Sequence, residues 1–360
     1  MTIPKTMRAM VTVGHGGLDK MVWHEDWPCP TPAAGEVLIR VGACGLNNTD
    51  VNTRSGWYSK AVSEATTGDG YDTVSDEDPT WGAAPISFPR IQGADVCGTI
   101  VGVGDGVDAI RIGERIITDN WLRDPTDPHN INKTGYFGSE RDGGFAEFTT
   151  IPSGNALVIN SELSDAELAT FSCSYSTAEG MLTRANVTAD DTVLVPGASG
   201  GVGGALVQLA KRRGARVIAM ASSSKHADVA LLGPDRILER APDNLRAALG
   251  DERITVAADI VGGDYWPTLI NVIERGGRYT CSGAIAGPMV TLDLRTLYLR
   301  DLTFHGSTVI APEVTQNLIR YIENKDICPA LAATYPLLEL HAAQAAFIAK
   351  EHTGTIVVTP

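Results

Sequence analysis

An apolar segment that runs through a glycine-rich turn straight into an amphipathic stretch, residues 192–211, constrains this chain more than any other feature. Within it, Ala198-x-Gly200-x-x-Gly203 reproduces a GxGxxG spacing with alanine in the first slot. Each small residue has a mechanical reason. The backbone must turn tightly, come close to a pyrophosphate and let the following helix pack on the sheet. The free N–H groups of a helix opening near Gly201 then face the phosphates, with the positive end of the helix dipole behind them. Ala205, Leu206, Leu209 and Ala210 mark the buried face of that helix, and residues 215–221 read as a second strand, so the segment is one βαβ unit. Ala198, Ser199, Gly200, Gly201 and Val202 are the candidate dinucleotide contacts.

The residues past the second strand bear on which dinucleotide is held. An NAD site ordinarily places Asp or Glu about 20 residues past the glycines, on the ribose 2′-hydroxyl. Ala221 stands there instead, followed by Ser222-Ser223-Ser224-Lys225, with Arg240 arriving after the next helix and strand. Without the carboxylate nothing repels a 2′-phosphate, and Ser222, Ser223, Lys225 and Arg240 offer donors to one. The pattern predicts NADP(H). Ordinary solvated surface charge is the alternative for Lys225 and Arg240 taken singly.

At 360 residues the chain is long enough for two domains, and 43% hydrophobic with 20% charged residues is the balance of a folded globular protein. A net charge of −14 without any basic run argues against nucleic acid or an anionic membrane surface as partner, and for a small-molecule substrate. No stretch is apolar for long enough to span a bilayer, and residues 1–17 alternate like a strand rather than carrying a signal-peptide core. Cys29, Cys44, Cys97, Cys173, Cys281 and Cys328 are scattered with no CxxC pair, which points to a reducing cytoplasm.

Short alternating stretches punctuated by glycine, such as residues 36–42 and 98–104, make residues 7 to about 160 mostly β and barrel-like. From about 161 to 309 strands and helices alternate, which predicts an α/β, doubly wound parallel sheet. The tail, with a helix from about Val314, another over residues 338–350 and a last strand over 354–358, carries no new nucleotide signal and is expected to return to the first half. Residues 59–88 and 119–143, rich in Asp, Asn, Ser, Gly or Pro, read as long loops. The first is expected to be disordered or plain surface cover, the second a substrate-side flap.

Gly45-Leu-Asn-Asn-Thr-Asp50 with Arg54-Ser-Gly56, Gly93-Ala-Asp-Val-Cys-Gly98, Gly143-Gly-Phe-Ala-Glu-Phe148, the turn from Ala198 to Gly203, Asp259-Ile-Val-Gly-Gly263 and His352-Thr-Gly354 together carry a resemblance. The chain resembles the medium-chain dehydrogenase/reductase superfamily over nearly its whole length, and its zinc-free quinone and enone reductases most. The resemblance implies a GroES-like, β-rich catalytic domain from 1–160 and 310–360, a Rossmann domain from 161–309 that binds NADP(H), and a homodimer or homotetramer formed through the Rossmann halves.

Zinc-dependent members hold a catalytic Zn²⁺ with three protein ligands. Against that pattern Asn47 replaces a cysteine and Gly93-Ala94-Asp95 replaces Gly-His-Glu, while Cys173 stands where the third ligand falls. Residues 119–143 hold no cysteine, so the four-cysteine structural lobe is also missing. The expectation is no catalytic or structural metal, with Cys173 a buried small residue. Without a Lewis acid the open route is reduction: hydride adds to a quinone or to the β-carbon of an α,β-unsaturated carbonyl. The resemblance implies Asn47 and Thr177 beside the nicotinamide, with backbone at Gly262, Gly283, Ala284 and Thr308. It also implies Tyr58, after Arg54-Ser-Gly-Trp57, as proton donor, with Asn47 the second catalytic candidate; packing alone is the alternative for Tyr58. Asp50 is expected to orient its own turn, and Asp95 to hydrogen-bond backbone inside the β-rich half. The rival readings are an enoyl-CoA type reductase, an alcohol dehydrogenase whose zinc is held by Cys44, Asp95, Cys97 and Cys173, and a non-enzymatic NADPH-binding protein.

Overall fold

The computed structural model describes residues 3–71, 74 and 86–360. The strand that leads into the glycine turn, Thr192–Pro196, lies inside a six-stranded sheet ordered Arg236–Glu239, Arg216–Ala221, Thr192–Pro196, Ile254–Asp259, Ile273–Cys281, Thr303–Gly306. All its pairings are parallel. In chain order this is 3-2-1-4-5-6, so connections leave in opposite directions from the first and fourth strands and open a crevice at their carboxyl ends. Helices cover both faces, which is why the central strands Thr192–Pro196, Arg216–Ala221 and Ile254–Asp259 are nearly continuous apolar runs. Val193, Val195, Val217 and Val256 pack against Met181, Leu182, Leu206 and Leu209 on one side. On the other, Leu194, Ile218 and Met220 pack against Leu245, Leu249 and Leu269.

The first half builds a second sheet around the long strand Glu36–Gly45, flanked by Asp95–Val103 and Phe148–Pro152, with Arg115–Thr118 and Ala156–Val158 beyond. Leu38, Ile39, Val96, Ile100, Phe137 and Phe145 fill its core. The tail completes it: Thr355–Thr359 runs antiparallel to Glu36–Gly45, with Val357 opposite Gly45 and Val358 opposite Cys44, and Leu331–Pro336 pairs beside it. The helix Pro312–Glu323 goes the other way, placing Leu318 and Ile322 in the core of the parallel-sheet half.

The described parts of the two insertions make specific contacts. In residues 119–143 the segments Trp121–Arg123 and Thr134–Tyr136 form a two-stranded ribbon, pinned by the 2.5 Å Asp119–Arg123 ion pair. Strands of three residues are too short to show alternation in a sequence. In the first insertion the Trp57 indole N–H donates to the Glu64 carbonyl at 2.8 Å, and Thr66 N–H reaches Ile285 O at 3.1 Å. Its described part is thus a cover laid from the β-rich half to the loops of the parallel sheet; residues 72–73 and 75–85 lie outside the described residues. Among the described residues no helix is long and apolar enough to cross a membrane.

Candidate active site

The glycine turn has the shape its spacing demands. Gly197 takes φ +67°, and Gly200 caps the helix Gly201–Arg212 with extended backbone and no side chain. A Cβ on Gly203 would overlap the Gly197 carbonyl oxygen, and one on Gly201 would press on Ser174 Oγ. The first N–H groups of this helix have no acceptor inside it and open toward the crevice. The tail seals the turn from the side, where Gly354 N–H donates to Ser199 O at 2.8 Å. Further along the same edge, the buried Asp259 carboxylate accepts from Val261 N–H at 2.7 Å and from the Tyr279 hydroxyl at 2.9 Å. It thereby fixes the turn of Gly262 and Gly263, both at positive φ, against Ala284. Gly283 lies over Ile260, and Thr308 is exposed just past the last strand. The expected nicotinamide-side backbone positions therefore line the carboxyl edge of the sheet.

Across the crevice, Asn47 caps the helix Asn48–Ser55, and its N–H donates to Asp50 Oδ2 at 2.8 Å. Asp50 Oδ1 also accepts from Gly93 N–H at 3.2 Å, so this carboxyl ties the cap to a neighbouring turn as well as orienting its own. Asp95 is fully buried, and its Oδ1 accepts from Asn120 Nδ2 at 2.8 Å and from Cys173 N–H at 2.9 Å. The expectation that Asp95 would bond backbone inside the β-rich half is corrected: its backbone partner begins the helix Ser172–Arg184, in the other half. Burial pushes both Asp50 and Asp95 up to about 7, against the pull of these donors and, for Asp95, of the Asn47 amide nearby. Asp95 Oδ2 and Asn47 Nδ2 are buried without a hydrogen-bond partner.

Burial and the Asp95 charge push the Cys173 thiol well up, while the Thr177 hydroxyl one turn along opposes them. Tyr58 is half-buried on the same corner; its hydroxyl is pushed up by burial, with Asn52 as hydrogen-bond partner and Cys173 and Asp50 close enough to act on it. The fold thus brings Asn47, Tyr58 and Thr177 together around Asp50, Asp95 and Cys173. Three neighbours were not singled out from sequence: Asn120, Trp121 and Tyr136. The two rings meet edge-on at 5.0 Å and pack with Ala94, Cys173, Ile310 and Val314. Their signal was three aromatic residues, Trp121, Tyr136 and Phe137, inside a mostly polar insertion.

The positions that hold zinc in zinc-dependent relatives converge here, but the donors do not suit it. An amide, a methyl, one carboxyl held by two N–H donors and a protonated thiol replace the thiolate and imidazole donors zinc prefers. Cys97 Sγ turns to Asp165 at 3.4 Å and Cys44 Sγ to the Gly45 carbonyl at 3.9 Å. Among the described residues no three His, Cys, Asp or Glu side chains gather closely enough for a metal ion.

At the far end of the crevice Ser222 precedes the turn Ser223–Lys225. Lys225 Nζ donates to the carbonyls of Lys350 at 2.5 Å and His352 at 2.7 Å. Arg240 is exposed and close enough to help lower the Lys225 pKa, after desolvation. Lys350 at this end was not singled out in the sequence, and His352 figured there only in the motif His352-Thr-Gly354.

Residues 33–161 match the alcohol dehydrogenase GroES-like domain family and residues 201–324 the zinc-binding dehydrogenase family. An acryloyl-coenzyme A reductase of Metallosphaera sedula is 26% identical over 363 residues, covering 98% of this chain and 100% of that protein. The quinone oxidoreductase of Rattus norvegicus is 26% identical over 343 residues, covering 92% and 91%. A solved structure from Sinorhizobium meliloti 1021, provisionally assigned as an alcohol dehydrogenase, superposes with a TM-score of 0.91 at 46% identity, covering 99% of this chain and 98% of that one.

Proposed function

Because the chain belongs to the medium-chain dehydrogenase/reductase superfamily, on its quinone-oxidoreductase-like branch, and is an oxidoreductase, we propose that it is a zinc-independent, NADPH-dependent reductase of quinones or α,β-unsaturated carbonyl compounds. The observation that carries this reading is the corner opposite the glycine turn. A buried amide beside a buried carboxyl and a phenol kept protonated stand where a zinc-dependent enzyme gathers its metal ligands. Bound NADPH supplies hydride from its nicotinamide ring. Asn47 Nδ2, buried beside the Asp95 carboxyl, is a donor for a carbonyl oxygen on which charge develops. Tyr58, held neutral by burial, supplies the proton that completes the reduction. Trp121, Tyr136, Ile310 and Val314 give the corner an apolar wall that suits a planar, apolar acceptor.

The test is oxidation of NADPH and, separately, NADH with a panel of quinones, enones, enoyl-CoAs and aldehydes, with and without a chelator. NADPH-selective, chelator-insensitive turnover of an enone or quinone is expected. Aldehyde turnover that the chelator abolishes would overturn the zinc-free chemistry, and preference for an enoyl-CoA would move the substrate to acyl thioesters.

The 2′-phosphate assignment has its own check. Arg240→Ala is expected to raise the KM for NADPH by a factor equivalent to about 1.5–3 kcal/mol and to leave NADH nearly unchanged. Adding Lys225→Ala should deepen the NADPH loss. Arg240→Ala is the cleaner single change, since Lys225 also anchors the tail. Equal losses with both cofactors refute the assignment.

A further inference from the structure

Asn52 lies inside the helix Asn48–Ser55 and is only 4% exposed. An amide there is a poor helix former, and its burial costs free energy unless both of its ends are bonded. Its Oδ1 accepts from the Thr66 hydroxyl at 3.1 Å, and the Tyr58 hydroxyl is its other partner. With the oxygen taken, Nδ2 is the end that meets the phenol. The direction of its effect agrees. Burial pushes the Tyr58 hydroxyl up and the Asn52 amide pulls it back, as a donor to the phenol oxygen does.

Thr66 belongs to the first insertion, and the backbone that carries its hydroxyl is pinned on several sides. The Trp57 indole N–H donates to Glu64 O at 2.8 Å, and the Tyr71 hydroxyl to Ala65 O at 2.9 Å. The fully buried Arg54 guanidinium donates to Gly68 O at 3.2 Å and is itself anchored on Gln344 Oε1 at 3.1 Å. Thr66 N–H donates to Ile285 O at 3.1 Å, next to Gly283 and Ala284, which are expected beside the nicotinamide. Residues 64–68 therefore hold one fixed path from the candidate catalytic helix to the cofactor-side loop. On that path the Thr66 hydroxyl has a definite aim, the Asn52 amide.

We propose that Thr66 is a positioning residue for the proton donor: its hydroxyl turns the Asn52 amide so that Nδ2 holds the Tyr58 oxygen and the phenol proton is directed to the acceptor. The assignment rests on Tyr58 being the donor and deepens that reading. The Tyr58 O–H bond breaks as its proton passes to the acceptor that hydride has reduced, and water returns a proton to the phenolate. The Nδ2 hydrogen bond strengthens as charge develops on the phenol oxygen, so it favours the transfer. Turned the other way, the amide would present Oδ1, draw the phenol proton to itself and face the developing charge with a lone pair. The orientation of one amide thus separates a ready acid from a sequestered one.

Thr66→Val is the informative variant, because valine keeps the shape and the backbone bond to Ile285 O and loses only the hydroxyl. With an enone, kcat is expected to fall about tenfold while Kd for NADPH and Tm stay level. The solvent deuterium isotope effect on kcat should grow as proton transfer comes to limit turnover, and Thr66→Ser should keep most of the rate. In a Tyr58→Phe background, Thr66→Val should cost nothing more, since both changes act on the same proton. A wild-type kcat and isotope effect in Thr66→Val, beside a slow Tyr58→Phe, would overturn the proposal and leave Tyr58 as donor. A full further loss in the Tyr58→Phe background, or a loss that follows a lowered Tm, would make Thr66 a structural residue only. Tyr58→Phe with unchanged kcat removes the proton-donor reading and this proposal with it, an outcome read before any Thr66 variant is made.

Discussion

Tyr58→Phe is expected to lower kcat with an enone by about 10²-fold while leaving Kd for NADPH unchanged. The side chain sits on the corner that Asn47, Asp50 and Cys173 share, and burial holds its hydroxyl protonated across the whole range of assay pH. It is therefore a donor with no competing ionised form, and the loss should appear as the same factor at pH 6 and pH 9. Phenylalanine keeps the ring and its edge-on contact with Trp57 at 5.7 Å, so packing alone predicts almost no change. Steady-state kinetics with one enone and one quinone separates the two roles. An unchanged kcat with both acceptors returns Tyr58 to packing, while a loss with the enone alone indicates that a quinone finds its protons elsewhere.

The parts of this molecule that were legible in the sequence are those where chemistry forbids a side chain or demands a repeat. The turn from Ala198 to Gly203 could be read because a Cβ at Gly203 has nowhere to go, and the parallel sheet because strands buried on both faces become apolar runs. The return of the tail was legible for the same reason, since residues 355–358 are again an apolar strand. Other features depend on partners far apart in the chain. Asp95 finds its backbone donor at Cys173, 78 positions away, and no local pattern announces that pairing. Trp121 and Tyr136 reach the site on strands of three residues, too short for alternation to register. Lys225 could be singled out in the sequence as a cation past the second strand, but its hold on the tail carbonyls could not.

Asp95→Asn should make the protein more stable at neutral and alkaline pH and remove part of its pH dependence. The Asp95 carboxyl is held at about 7 in the folded chain, chiefly by burial, against about 4 in an unfolded one. Between those values the folded state keeps a proton that the unfolded state has released. Unfolding therefore becomes easier as pH rises through that window, and the cost is complete above pH 7. At full size it is up to about 4 kcal/mol, and less where nearby donors adjust. Asparagine cannot ionise, and its Oδ1 can keep the bonds from Asn120 and Cys173 N–H. Its Nδ2 replaces the unsatisfied Oδ2 beside Asn47, whose amide can turn its oxygen toward it. Below pH 4 both forms are neutral, so the variant should gain little there. Urea midpoints measured from pH 4 to pH 8.5 at constant m-value should show a difference that opens between pH 4 and 7 and then stays level. Asp50 shares the effect, because the Asp95 charge contributes to raising it, so the substitution should also bring Asp50 down toward the ordinary carboxylate range. A difference that does not change with pH would mean that Asp95 ionises alike in the folded and unfolded chain. Its buried acid would then be no reserve of protons for the corner it shares with Asn47 and Tyr58.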